Sequence, residues 1–248
     1  MKTPLIRQFE EIESTGSAMA GYTSGLCGVW TPERFSLFAE HLGVDPARIT
    51  LVNQKHTDAV YVAGAADGGV GVLKPKSEDL FDAQITDVPG LMLCVYTADC
   101  VPVVFYDPVR KAIGAAHSGW LGTAMEITAK TVKRMKEEYG CDPENIICCI
   151  GPYNHSCCYE VGEDVLERFR ENFSETECRE VFLKKETAGK YLLDMGKAIG
   201  ISLGREGVLP GNIHDSGHCT YHTEEFSSWR RTRNKKHQIL SYIMLLIG

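Results

Sequence analysis

Apolar and polar positions follow two rhythms along this chain. Over residues 122–139, Ala124, Ile127, Thr128, Thr131, Met135 and Tyr139 recur at helical spacing, and Lys130, Lys133, Lys136 and Glu137 fall elsewhere on the wheel. Gly140 is placed to stop that helix. Residues 32–41 predict a helix with Thr31 as N-cap, and 161–173 and 191–205 read as two more. The second rhythm is short, β-rich and bounded by turn residues. It predicts strands over 49–52, 59–63, 91–96, 101–106, 112–116, 146–150, 212–216 and 238–247, with 64–71 as a glycine-rich loop. Strands outnumber helices, and several follow one another with no helix between them. That order argues against a doubly wound fold and for an α+β class, a mixed β-sandwich.

Composition narrows the function. The 248 residues carry a formal charge of -7, with 44% hydrophobic and 24% charged positions, a balance that excludes a disordered chain. No segment approaches the ~20 apolar residues of a membrane helix. The first residues have no apolar run of signal-peptide type, so the expected location is the cytoplasm. The acidic balance argues against nucleic acid or an anionic membrane as partner. Ten cysteines in a chain of this length do not form the dense spacing of a disulfide scaffold. Cys94, Cys148 and Cys149 lie inside apolar runs and read as core.

Four places could carry chemistry. His56, Cys100 and His117 each lie at the end of a predicted strand beside a turn. Two imidazoles and one thiolate suit Zn²⁺, and three protein ligands leave a fourth position for water, whose pKa zinc lowers to about 7. The same Cys–His pairing could instead be a nucleophile and its base in a metal-independent hydrolase. A second segment, 151–159, holds the adjacent Cys157 and Cys158. Neighbouring cysteines sit poorly on one tetrahedral ion, so this loop reads as packed, with its thiols turned inward. A third holds Cys219 and His222 at C-x-x-H spacing, with no matching second pair at a finger-like distance. The fourth is the basic run Arg230, Arg231, Arg233, Lys235, Lys236 and His237: a solvated face, or a clamp for phosphate or carboxylate. The Gly119–Gly122 turn ahead of the long predicted helix offers a further anion site at a helix N-terminus.

These motifs together resemble a known family. Thr97-Ala98-Asp99-Cys100-Val101-Pro102, Tyr106-Asp107-Pro108 and Ala115-Ala116-His117-Ser118-Gly119-Trp120 are similar to the purine nucleoside phosphorylases formerly called multicopper polyphenol oxidases or laccase-domain proteins. Asn53-Gln54-Lys55-His56, Ile150-Gly151-Pro152, Cys157-Cys158-Tyr159-Glu160-Val161-Gly162 and Phe226-Ser227-Ser228-Trp229-Arg230-Arg231 follow in family order. The resemblance implies a single domain over 1–248, built of two packed sheets with helices outside (α/β/β/α layers). It implies zinc, in preference to copper, on His56, Cys100 and His117. It implies phosphorolysis of adenosine, inosine, guanosine or methylthioadenosine, and hydrolytic deamination of adenosine. Purine nucleosides and phosphate would then be the partners, Asp99 an acid–base group, and Arg230 and Lys55 substrate-binding cations.

The chain departs from the family at Leu121 and Ser24, where arginines are usual, at Thr57, and at His222. If those arginines bind phosphate, phosphorolysis is weakened here, since a charge-assisted contact is worth ~1.5–3 kcal/mol. The alternatives are a copper-type polyphenol oxidase, the metal-independent Cys–His hydrolase, and a metal-binding member without enzymatic activity. A copper oxidase wants several histidines and more than one copper, and only one two-histidine, one-thiolate set can be assembled from this sequence.

Overall fold

The computed structural model describes residues 5–25, 28–234 and 237–247. In chain order the elements begin β1 (Ile6–Gln8), α1 (Glu10–Glu13), β2 (Ala18–Thr23), α2 (Pro32–Leu42), β3 (Ile49–Leu51), β4 (Val60–Val62), β5 (Ala83–Thr86), β6 (Met92–Thr97), β7 (Val101–Asp107) and β8 (Ala112–Ser118). They continue as α3 (Trp120–Ala124), α4 (Ile127–Tyr139), β9 (Ile147–Ile150), β10 (Glu160–Gly162), α5 (Glu163–Phe169), α6 (Glu175–Val181), β11 (Phe182–Lys184) and β12 (Lys190–Leu193). The chain closes with α7 (Met195–Arg205), β13 (Ile213–Asp215), α8 (Trp229–Thr232) and β14 (Ile239–Leu245).

Why two sheets stack here follows from side-chain alternation. Every residue of β7, β8 and β14 is buried, so each strand must be covered on both faces. Along β14, Ile239, Ile243 and Leu245 face the space between the sheets, where they meet Val104, Tyr106, Ile113 and Ala115. The alternate residues Leu240, Tyr242 and Met244 face outward onto Phe35, Phe38 and Ala39 of α2. On the opposite side, Val101, Val103 and Phe105 pack with Ile127, Val132 and Met135 of α4 and with residues of α5 and α7. The layers are therefore helix, sheet, sheet, helix. The inner sheets run β1-β2-β14-β6-β3 and β13-β9-β7-β8-β5-β4, with a small sheet β10-β12-β11 at the side.

Three expected helices change on folding. The 122–139 helix is split: α3 ends at Ala124, and Glu126 takes a left-handed φ of 61° before α4 begins. The Glu126 carboxylate pairs with Arg205 of α7, which holds the break. Residues 160–162 become strand because they pair antiparallel with 190–192. Asp194 then accepts a hydrogen bond from Lys197 N and caps α7, so the predicted 191–205 helix starts four residues late. In each case a partner far along the chain overrides a locally helical pattern.

Candidate active site

Strand pairing brings Cys100 and His117 together. In the β7–β8 register Val101 lies opposite Ser118 and Pro102 opposite His117, so Cys100, one residue before β7, meets the end of β8. His56 arrives from the segment between β3 and β4, and two latches hold it. Gln54 donates to Tyr96 O and accepts from Tyr96 N, both at 2.9 Å, so its amide extends the edge of β6. Asp82, just ahead of β5, accepts from Lys55 N at 3.0 Å, Thr57 N at 2.6 Å and Thr57 Oγ1 at 2.9 Å. Between those two amides His56 is left-handed, φ 63°, a conformation costing about 1–3 kcal/mol in a non-glycine residue. The Asp82 bonds on either side supply the compensation.

Asp82 also reaches His117. Its Oδ1 lies 2.6 Å from Nδ1 of the imidazole, and both groups are buried. Nδ1 is thereby committed to the carboxylate, which leaves Nε2 as the free nitrogen of His117. Cys100 Sγ lies 3.7 Å from His56 Nε2, and the donor atoms of His56, Cys100 and His117 all fall within 4.8 Å of one another. The two imidazoles meet edge to face, 4.9 Å between centroids. Gly119 runs directly over this group: a Cβ there would stand 2.4 Å from His56 Cδ2 and 3.3 Å from the Cys100 sulfur. The main chain can lie so close to two donor side chains only without a side chain of its own.

The electrostatics follow from these contacts. Burial pushes the Asp82 carboxyl up, but the His117 hydrogen bond and the N–H groups of Thr57 and Lys55 outweigh it and hold the group near 2. Burial also opposes the charged forms of Cys100 and His117. Their mutual attraction, with a hydrogen bond between His56 and the thiol and one that the imidazole donates to Asp82, wins in both, lowering the thiol and raising the imidazole. A thiolate beside two imidazoles can hold a metal or act as a nucleophile with its base. The donor set fits a metal with three protein ligands: both nitrogens face the thiol, and His117 is oriented from behind by a carboxylate.

The three donors open on a cleft of about 490 Å³, lined also by Tyr96, Asp99, Trp120, Asn154, Tyr159, Met195, Trp229 and Arg230. The buried side-chain amide of Asn154 has no hydrogen-bond partner at either Nδ2 or Oδ1 among the described residues. Asp99, left-handed at φ 87°, has both oxygens engaged: Thr220 Oγ1 donates to Oδ1 and Arg230 N to Oδ2, each at 2.6 Å. Its carboxylate fixes the start of α8. The Arg230 guanidinium donates to Glu160 O and lies 5.2 Å from the Tyr159 ring centroid.

Other sequence expectations land elsewhere. Lys55 is exposed and does not line the cleft. Lys76, which no sequence signal singled out, sits 5.1 Å from the centroid of Tyr96, and burial with the neighbouring charge of Lys55 lowers its pKa. Arg231 points away and donates to the carbonyls of Thr220, Tyr221 and Phe226, binding a loop together. Arg233 stacks on Trp229, and Lys235 and Lys236 lie outside the described residues. The expected helix-terminus anion site is not built: α3 is only five residues long, and Gly119 covers the donor side chains instead. Leu121 is half-buried on α3, and Ser24 is buried at the end of β2. Cys157 and Cys158 do not turn inward. They face Cys219 and His222, so the missing partner pair for the C-x-x-H spacing is the adjacent-cysteine pair. Asp82 escaped sequence reasoning altogether. Its signal was an acidic residue opening the apolar segment that becomes β5.

A family model described as multi-copper polyphenol oxidoreductase laccase matches residues 31–246. The chain is 35% identical over 214 residues to a purine nucleoside phosphorylase of Bacteroides thetaiotaomicron, across 85% of this chain and 78% of that protein. It is 33% identical over 201 residues to purine nucleoside phosphorylase LACC1 of Mus musculus, across 79% of this chain. The match spans only 43% of the mouse protein's length. The crystal structure of hypothetical protein YfiH from Bacillus licheniformis superimposes with a TM-score of 0.89 at 30% identity, over 98% of this chain and 97% of that one.

Proposed function

The chain belongs to the multi-copper polyphenol oxidoreductase laccase family, and from that membership and its relatives' names we propose that it is a zinc-dependent purine nucleoside phosphorylase. The single observation that carries this reading is the three-donor set of His56, Cys100 and His117 opening on a cleft that also holds the unpaired Asn154 amide. Zinc held by His56, Cys100 and His117 would supply Lewis acidity to the cleft. Residues 1–248 act as one domain in this reading, inside the cell.

The remaining roles fall to the chain's own groups. Asp82 holds His117 in the tautomer that presents Nε2 to the cleft. Asn154 offers a donor and an acceptor side by side, which suits the edge of a purine. The rings of Tyr159 and Trp229 supply faces for the base. In phosphorolysis a phosphate oxygen bonds to the anomeric carbon as the glycosidic C–N bond breaks, and the departing purine takes up, in net, the proton that the phosphate gives up. Arg230, which lines the cleft, and Lys76, whose ammonium lies over the cleft-lining Tyr96 ring, are the cations assigned to the phosphate, with Lys55 as a further one near Lys76. Asp99 acts as a positioning residue for Arg230, because both its oxygens are already occupied.

Leu121 and Ser24 bring no positive charge, so phosphorolysis is weakened and hydrolytic deamination of adenosine at the same site becomes the finer reading. The test is zinc-loaded protein with adenosine, with and without phosphate, and separation of the products. Inosine formed without phosphate supports deamination, whereas adenine with ribose-1-phosphate at brisk turnover overturns the weakening. No product with any of the four nucleosides overturns the enzyme. Chelation should abolish activity, and activity that survives it would return the site to the thiol-hydrolase reading.

A second reading has one observation in its favour. Two imidazoles, a thiolate and Met195 line the same cleft, the donor types of a mononuclear copper site. Phenol oxidation by the copper-loaded chain, with strong thiolate-to-copper absorption, would favour it.

A further inference from the structure

Thiol and imidazole groups converge a second time, on two surface loops beside the cleft. The first loop follows β9 and turns at Cys158, whose N–H bonds His155 O at 3.0 Å. The second precedes α8 and turns where Thr223 N bonds Cys219 O at 3.0 Å. A bridge between Tyr153 and Cys219 runs the loops side by side: Tyr153 N donates to His218 O, and Thr220 N donates to Tyr153 O.

The side chains then meet at distances with a specific meaning. Cys157 Sγ lies 3.8 Å from Cys219 Sγ and 3.7 Å from Cys158 Sγ. His222 Nδ1 lies 3.7 Å from each of the Cys157 and Cys158 sulfurs. Donor atoms of all four residues fall within 4.8 Å of one another. A tetrahedral zinc with bonds of about 2.3 Å to sulfur and about 2.05 Å to nitrogen sets edges of about 3.8 Å between thiolates and about 3.6 Å between thiolate and imidazole. The sulfurs stand nearly twice as far apart as the about 2.05 Å of a disulfide.

We propose that Cys157, Cys158, Cys219 and His222 form a second zinc site, closed and structural. Four protein donors leave no position for water or substrate, so the site ties loops together and does no chemistry. What it ties is the wall of the cleft. The first loop carries Asn154 and Tyr159, and the second holds Asp99, and through it Arg230, by the Thr220 hydroxyl.

The test is the zinc content of protein freed of any histidine tag and purified under reducing conditions. About two zinc ions per chain are expected. The double variant His56→Ala/His117→Ala should keep about one, and Cys157→Ser/Cys219→Ser should lose one and keep the other. Cobalt loaded into the His56→Ala/His117→Ala chain should give the intense thiolate-to-cobalt absorption of a multi-thiolate tetrahedral site. That measurement carries the test even where the cysteine variant does not fold. Stripping this remaining metal should lower the Tm by more than about 5 °C. A native chain with a single zinc that vanishes in the His56→Ala/His117→Ala variant overturns the proposal. So does a thiol count showing these cysteines oxidised to a disulfide in the reduced preparation.

Discussion

The two thiol–imidazole clusters differ in donor count and in support. His56, Cys100 and His117 offer three donors at the floor of a cleft, and a buried carboxylate orients one of them from behind. Cys157, Cys158, Cys219 and His222 offer four donors, and in each cluster a single member is buried, Cys219 here and His117 there. In the first cluster Cys100 and His117 adjoin the ends of β7 and β8, and His56 sits on a connection latched by Asp82 and Gln54. The second joins two loops and is supported mainly by turn hydrogen bonds. The difference teaches how one donor chemistry serves two ends. Three donors on a rigid frame leave a position open to a substrate, and four donors on loops use up the coordination sphere and add a crosslink.

The largest expected effect would break this comparison outright if it failed. Cys100→Ser should cost at least about 100-fold in kcat/KM for the nucleoside reaction, whereas Cys219→Ser should act mainly on KM and thermal stability. Steady-state kinetics on both variants measures the contrast, and equal losses in kcat would erase it. Next comes Asp82→Asn, which keeps the shape but not the charge behind His117. A fall of about 10–100-fold in zinc affinity of the cleft site is expected, read by competition with a chromogenic chelator. The second cluster, which has no such carboxylate among its side-chain hydrogen bonds to the described residues, should keep its zinc unchanged.

A glycine pair sharpens the comparison at the level of backbone. Gly119→Ala drives a methyl group into the His56 ring, so activity should fall about 10-fold or more. Gly217→Ala sits in open space near the second cluster with a left-handed φ of 70°. It should cost only about 1 kcal/mol of stability, seen in chemical denaturation, with zinc content unchanged.

The smallest effect is at the Arg7–Glu225 ion pair, 2.9 Å apart, which pins β1 to the loop carrying the second cluster. Arg7 holds the Glu225 carboxyl below its usual range, so the stabilisation is present above the unfolded pKa of about 4.3 and is lost as pH falls through the folded value. Glu225→Gln should therefore cost under about 1 kcal/mol at pH 7 and progressively less as the pH is lowered below the unfolded value, by denaturation across that range.

Much of this was legible in the residues. The apolar runs at β7, β8 and β14 read directly as strands, and the His56–Cys100–His117 set was a donor set by residue type that the family resemblance singled out. The splits at Glu126, at 160–162 and at Asp194 were not legible, because each answers to a partner distant in sequence: Arg205 for the first, the β12 pairing for the other two. Asp82 was invisible for the same reason. A carboxylate before a short strand means nothing until β8 pairs with β5 and sets His117 against it.

By itself, then, the sequence determined the α+β class, most of the strands and helices, and the donor types available for a metal, while the α/β/β/α layering came only with the family resemblance. The first three follow from side-chain periodicity and composition, which are local. Tertiary structure decided which donors meet: His56 with Cys100 across 44 residues, and the adjacent cysteines with Cys219 and His222 across more than 60. Convergence of that kind depends on strand register and loop pairing between remote segments, and no local pattern encodes it.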